Sequence, residues 1–166
     1  IANRAVYGNT IVEIGEKYDN VVVLDADISK STKTTGFYER FPERAFNVGV
    51  AEQHMVGMAA GLASMGYIPF ASTFAMFLGM RAAEQARTSV AYPNLNVKLV
   101  ACNAGVEIAG DGVTHQAVED IAVMRSIANM TVISPSDPVT TKKATWALMG
   151  LESPSYMRLG RQPNEV

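Results

Sequence analysis

The segment Asn47-Val-Gly-Val-Ala-Glu52-Gln-His54 sets a carboxylate directly ahead of the glycine- and alanine-rich run Met55 to Gly66. A charge between a strand and a closely packing helix is costly when buried without a partner, so an acid here points to a bound group that needs one. The plainer reading of Glu52 is a helix-start glutamate that satisfies backbone N–H groups. Further along, the glycine-rich loop Gly105 to His115 carries Asp111 and His115 just before a helical pattern. An imidazole that titrates near neutrality suits proton transfer, whereas the plainer reading of His115 is a helix cap beside Thr114. Phe74 and Phe77 lie three apart at the start of a predicted helix, on nearly one face, where they could wall a planar ring or simply fill a core.

These residues need a frame, and the hydrophobic pattern supplies one. Val21 to Ala26, Ala45 to Val48, Ile68 to Ser72, Val97 to Asn103, Thr131 to Ser134 and Ser155 to Arg158 read as strands. Between them Ala5 to Lys17, Glu52 to Ser64, Phe74 to Ala91, Gln116 to Ser126 and Asp137 to Met149 read as helices, several opened by a polar or acidic residue. Such alternation implies an α/β three-layer domain, a parallel sheet flanked by helices. Ligands of such sheets collect beyond the carboxyl ends of the strands, and the unusual polar residues follow the strands: Asp27 to Ser31, then Glu52, then Thr73-Phe74, then Ala104 to His115. Gly57 and Gly61 would let another backbone approach closely. With almost no charge from Met55 to Ala75, the helix that carries them is predicted to be buried, at a subunit interface.

The chain has 166 residues and is read as one domain spanning residues 1–166. A net charge of −2 with scattered Lys and Arg gives no basic stripe, which argues against nucleic acid and against a membrane surface as partners. The lone Cys102 lies in an apolar run, as a strand-core cysteine would, and fits a reducing cytoplasm. No apolar run reaches membrane-spanning length, and no charged segment with an apolar signal core opens the chain. Dinucleotide, P-loop and nucleophile-elbow signatures are absent, and two widely spaced histidines with one cysteine do not make a metal site.

Four motifs remain: Gly49-Val-Ala-Glu52-Gln-His54, Ser72-Thr-Phe74-Ala-Met-Phe77, Gly110-Asp111-Gly-Val-Thr-His115-Gln116 and Leu159-Gly-Arg161-Gln162. In this order they resemble the pyrimidine-binding domain of the transketolase family of thiamine diphosphate enzymes, over nearly the whole chain from Arg4 to Gln162. The resemblance implies the thiamine diphosphate-binding fold and transfer of a two-carbon ketol unit between sugars. It implies that Glu52 hydrogen-bonds the cofactor's pyrimidine ring nitrogen and so promotes its imino tautomer. It casts Phe74 and Phe77 as the wall behind that ring and Asp27 as an acid close to the cofactor. Asp111 would bond a sugar hydroxyl, His115 would assist proton transfer at the substrate oxygen, and Arg4, Ser31 and Arg161 would grip a sugar phosphate. Two positions depart from the family pattern. Met80 stands where a tyrosine is common, and Asn103 stands where a phosphate-binding histidine is frequent, which puts phosphorylated substrates in doubt. His54, Arg81, Arg125 and Arg158 are open between lining the site and solvated or packing roles.

The same resemblance implies what this chain lacks. Gly110-Asp111-Gly112 looks like the start of the family's metal-diphosphate motif, but no hydrophobic run ending in paired asparagines follows, so no metal site is expected here. The Mg2+ ion and the diphosphate are expected on a second domain or subunit, and the family's carboxy-terminal domain is expected to be missing. The chain would then be the C-terminal subunit or a fragment of a split transketolase, inactive alone, in a homo- or hetero-oligomer whose interface the cofactor bridges. Deoxyxylulose phosphate synthase, which shares the Gly-x-Ala-Glu-Gln-His pattern, and the beta subunits of 2-oxoacid dehydrogenases are alternatives. A noncatalytic assembly subunit is the alternative of another class.

Overall fold

Val21-Val-Val-Leu-Asp25 and Lys98-Leu-Val-Ala-Cys102 are buried at every residue, which requires a layer on each side of the strands they form. A computed structural model, which describes residues 1–163, provides both layers. The strands are β1 (Val21–Asp25), β2 (Ala45–Asn47), β3 (Ile68–Phe74), β4 (Lys98–Cys102), β5 (Thr131–Ile133) and β6 (Ser155–Arg158). They form one six-stranded sheet in the order β2-β1-β3-β4-β6-β5, parallel throughout. All six lie within or close to the predicted runs.

The helices are α1 (Asn3–Gly15), α2 (Ser29–Thr32), α3 (Thr35–Arg40), α4 (Glu52–Ser64), α5 (Ala83–Gln85), α6 (Asp120–Ser126) and α7 (Pro138–Ala147). Tyr7, Ile11 and Ile14 of α1, Phe37 of α3 and Leu148 just past α7 build the core on one sheet face. Met55, Val56 and Ala59 of α4, with Leu78, Val90 and Met124, build the other. Helix α7 starts cleanly because Asp137 and Thr140 form a reciprocal capping box and Pro138 occupies the first turn. From β1 the chain turns toward β2, and from β3 toward β4, so the carboxyl ends of β1 and β3 border a crevice.

Several expectations are corrected. Phe74 closes β3 instead of opening a helix, and the segment up to Ala91 contains two π-helical stretches, Phe77–Arg81 and Ala86–Ala91, around the short α5. The helix expected from Gln116 begins at Asp120, because Ala117 is held back by a two-way backbone bridge to Gly105. The interface face expected on α4 is not among these corrections: Met55, Val56 and Ala59 are buried, and Gly57 and Gly61 face outward with nothing within 4 Å of a built Cβ. Helices α2 and α3 were not foreseen. They are organised by Asp25, a buried carboxylate at the end of β1 that accepts from the Ile28 N–H at 2.6 Å, Thr32 Oγ1 at 2.6 Å and Thr34 Oγ1 at 3.1 Å. Burial pushes its pKa up, against the pull of those hydrogen bonds.

Candidate functional site

Glu52 is the first residue of α4, preceded by Ala51, which has no side chain able to cap the helix. Its carboxylate is 2% exposed and accepts a hydrogen bond from Arg81 Nη1 on Oε2 at 2.8 Å. Among the described residues its side chain accepts no backbone N–H, so the capping reading of this glutamate has no support. Oε1 accepts no hydrogen bond from any described residue. Among the described residues the acid is therefore held by Arg81 alone.

Arg81 ends the π-helical turn that Phe77 begins, and its guanidinium carbon lies 4.4 Å from the centre of the Phe77 ring. Phe77 stacks with Phe74 at 6.0 Å between ring centres, although Phe74 belongs to β3. The end of a strand and the first turn after it thus bring the two rings together, where a single helix face had been expected. His115 meets both rings edge-on, at 6.2 Å from Phe74 and 5.3 Å from Phe77, and its Nδ1 is 2.9 Å from Thr114 Oγ1. Glu52, Arg81, Phe77, Phe74 and His115 form one connected group beyond the carboxyl end of β3. Gly79, midway through the turn, leaves little room for a Cβ, which would meet Asp120 at 3.0 Å.

A second group surrounds the loop from Gly105 to Ala117. Asp111 lies 3.6 Å from Arg161 Nη1, and Arg161 also donates to the Ile108 carbonyl. Glu107 Oε2 accepts the backbone N–H groups of Arg161 at 2.7 Å and Gln162 at 3.0 Å. Glu107 gave no signal in the sequence, because its role depends on the turn after β6 returning to this loop. Arg4 donates from Nη1 to the Ser31 carbonyl at 2.9 Å, so these two predicted residues also meet. Burial lowers the Arg4 pKa, and the nearby charge of Arg161 lowers it further. The Asn103 side chain is buried with Oδ1 unpartnered.

Other candidates fall outside both groups. Asp27, with φ of 64°, accepts from Asn47 Nδ2 at 2.9 Å, and no described hydrogen bond or ion pair links it to Glu52. His54 and Arg125 are exposed. Arg158 is a packing residue: it donates to Asp120 Oδ2 at 3.0 Å, which also accepts from Tyr156 Oη at 2.7 Å, and to the Ala117 carbonyl at 3.2 Å. Among the described residues no cluster of His, Cys, Asp and Glu is placed to hold a metal ion, and no helix is long and apolar enough to cross a membrane.

Against known proteins, the family described as transketolase, pyrimidine binding domain matches residues 1–165. A protein described as a transketolase C-terminal section in Methanocaldococcus jannaschii is 53% identical over 163 residues, 98% of this chain and 52% of that protein. A 6-deoxy-6-sulfo-D-fructose transketolase subunit from a Clostridium species is 41% identical over 96% of this chain and 50% of its own length. Human transketolase is 36% identical over all of this chain but only 26% of its own. Among solved structures, a split-gene transketolase described as an inactive β4 tetramer superposes with a TM-score of 0.89 at 49% identity, over 100% of this chain and 53% of that one. The chain thus spans about half the length, or less, of these relatives. With its motifs in family order, its six-stranded parallel sheet and a match along its length, the chain belongs to the transketolase pyrimidine-binding domain family.

Proposed function

We propose that this chain supplies the pyrimidine half of a thiamine diphosphate site in a transketolase that moves a two-carbon ketol unit between sugars. The observation that carries the reading is Glu52: a carboxylate at 2% exposure joined through Arg81 to Phe77, which stacks on Phe74. An aminopyrimidine fits that combination, because its ring edge needs a carboxylate partner and its faces need apolar or aromatic walls. Diphosphate and Mg2+ are assigned to another domain or subunit, which is consistent with the relatives being about twice the length of this chain or more.

When bound, thiamine diphosphate supplies the reactive carbon that carries the two-carbon unit. Glu52 orients the pyrimidine and holds a proton at its ring nitrogen, in a setting with little water to weaken the bond. Phe74 and Phe77 exclude water from one side of the ring. His115, edge-on to both, gives or takes a proton at the substrate oxygen. Asp111 orients a sugar hydroxyl, while Arg4, Ser31 and Arg161 form the polar end that receives the far end of the sugar. Asp27 is an acid on the cofactor side of the crevice.

The outward stripe of Gly57 and Gly61 on α4, with Met80 50% exposed on the π-helical turn, is assigned to the assembly interface. A split-gene relative is described as a tetramer of its β chains, which supports an oligomeric assembly. The buried free thiol of Cys102 suits a reducing cytoplasm.

Glu52→Gln in the complex reconstituted with a diphosphate-binding partner tests the reading. A loss of at least tenfold in turnover, about 1.4 kcal/mol in the barrier, is expected. Unchanged activity would remove the acid role and favour a noncatalytic assembly subunit. A second reading, deoxyxylulose phosphate synthase, draws on a relative from Desulfotalea psychrophila that is 38% identical over 96% of this chain. Donor assays separate the two: ketose sugars as two-carbon donors for transketolase, a 2-oxoacid donor for the synthase.

A further inference from the structure

We propose that Arg81 is a self-ligand of the pyrimidine site. Before the cofactor binds, its guanidinium occupies the place at Glu52 and Phe77 that the heterocycle takes, and binding requires it to leave. The inference rests on the reading of Glu52 as the pyrimidine's acid.

Two contacts carry it. Arg81 Nη1 donates to Glu52 Oε2 at 2.8 Å, and the guanidinium carbon stands 4.4 Å from the centre of the Phe77 ring. A guanidinium is planar, delocalised and rich in N–H donors, so it meets a carboxylate at its edge and an aromatic ring at its face. An aminopyrimidine offers a similar pair of surfaces. One side chain of this protein thus makes both contacts that define the site, on the residues that define it.

The arginine is also built to depart. Its side chain is 46% exposed while that of Glu52 is 2% exposed, so it reaches the acid from the solvent side on a flexible stem. It closes a π-helical turn, whose backbone bond from the Ala82 N–H to the Phe77 carbonyl, at 3.0 Å, involves no side chain. Rotation of Arg81 outward leaves that turn in place. Retention serves the empty chain, because a carboxylate stripped of its partner in a buried position is strongly destabilising. Exchange serves the loaded one, because the heterocycle takes over the bond to Glu52 as Arg81 surrenders it. Until then the affinity of the site is reduced by the fraction of molecules in which Arg81 is away.

The test uses the full chain and the free pyrimidine 4-amino-5-hydroxymethyl-2-methylpyrimidine as probe, followed by NMR. Arg81→Ala is expected to bind the probe roughly fivefold or more tightly than the unaltered chain, the gain from removing an internal competitor. In the unaltered chain the Arg81 side-chain N–H resonance should shift toward solvent-exposed values as probe is added. Equal or weaker binding by Arg81→Ala, no binding by either protein, or an Arg81 resonance indifferent to saturating probe would overturn the proposal. If Arg81→Ala does not fold, Arg81→Lys keeps the charge and loses the planar fork. It should gain affinity in the same direction, and no gain would be equally damaging. A double variant, Glu52→Gln with Arg81→Ala, separates this inference from the reading beneath it. If the gain of Arg81→Ala persists in full with Gln at 52, Arg81 still competes for the Phe77 face, and the acid role of Glu52 is what fails.

Discussion

Two buried ionisable side chains in this domain are handled in opposite ways. Glu52 is matched to a half-exposed arginine, which suits a group that must exchange partners. Lys98, fully buried at the start of β4, donates from Nζ to the Leu151 carbonyl at 2.6 Å and the Ser153 carbonyl at 3.1 Å. It is a fixed tie between the sheet and the loop before β6. Burial pulls the Lys98 pKa down to about 8 from its ordinary 10.5. Between those values the unfolded chain holds more protons than the folded one, so the Lys98 contribution to stability rises with pH across this window. Urea unfolding at a series of pH values should show this as a difference between the unaltered chain and Lys98→Met. The difference slope is at most about 1.4 kcal/mol per pH unit, the value for one proton. A difference that is flat between pH 8 and 10.5 would refute it.

At the level of elements, the strands were legible because β-branched runs between turn residues leave few alternatives, as in Val21-Val-Val-Leu-Asp25. Helix α4 was legible from its small-residue spacing, but its degree of burial was not. Sequence reports that a face is apolar and says nothing of whether this chain or another covers it. Phe74 was misplaced because an aromatic at a strand end and one at a helix start look alike in the pattern; only the pairing of β3 with β4, which reaches Cys102, extends the strand that far. The helices between Ser29 and Arg40 escaped notice because their organiser, Asp25, looks like any strand residue until its hydrogen bonds are seen. Within the site, Glu52, Phe77 and His115 could be picked out by residue type, whereas the pairing of Glu52 with Arg81 across 29 positions could not. The outward stripe on α4 gives a test at this scale. Gly57→Ala with Gly61→Ala should leave the isolated chain as stable or more so, by about 0.5–1 kcal/mol per site from helix propensity. If α4 is the assembly face, the same pair should weaken association with a partner in sedimentation velocity. Unaltered association would move the interface elsewhere.

Across the whole molecule, the chain carries a buried acid, a stacked aromatic pair and an Arg161–Asp111 contact on the Gly105 to Ala117 loop. Among the described residues it offers no cluster suited to the Mg2+ ion that the diphosphate end of the cofactor calls for. The site as proposed is divided, with one end of the cofactor recognised here and the charged end elsewhere. Such a division makes affinity a property of the assembly, since each half alone supplies only part of the contact free energy and this half begins with Arg81 in place. Calorimetric titration of thiamine diphosphate with Mg2+ measures this directly, on the chain alone, on a diphosphate-binding partner alone, and on the two together. Tight binding by the mixture, with only weak binding by this chain alone, is the predicted result. Tight, magnesium-dependent binding by the isolated chain would contradict it.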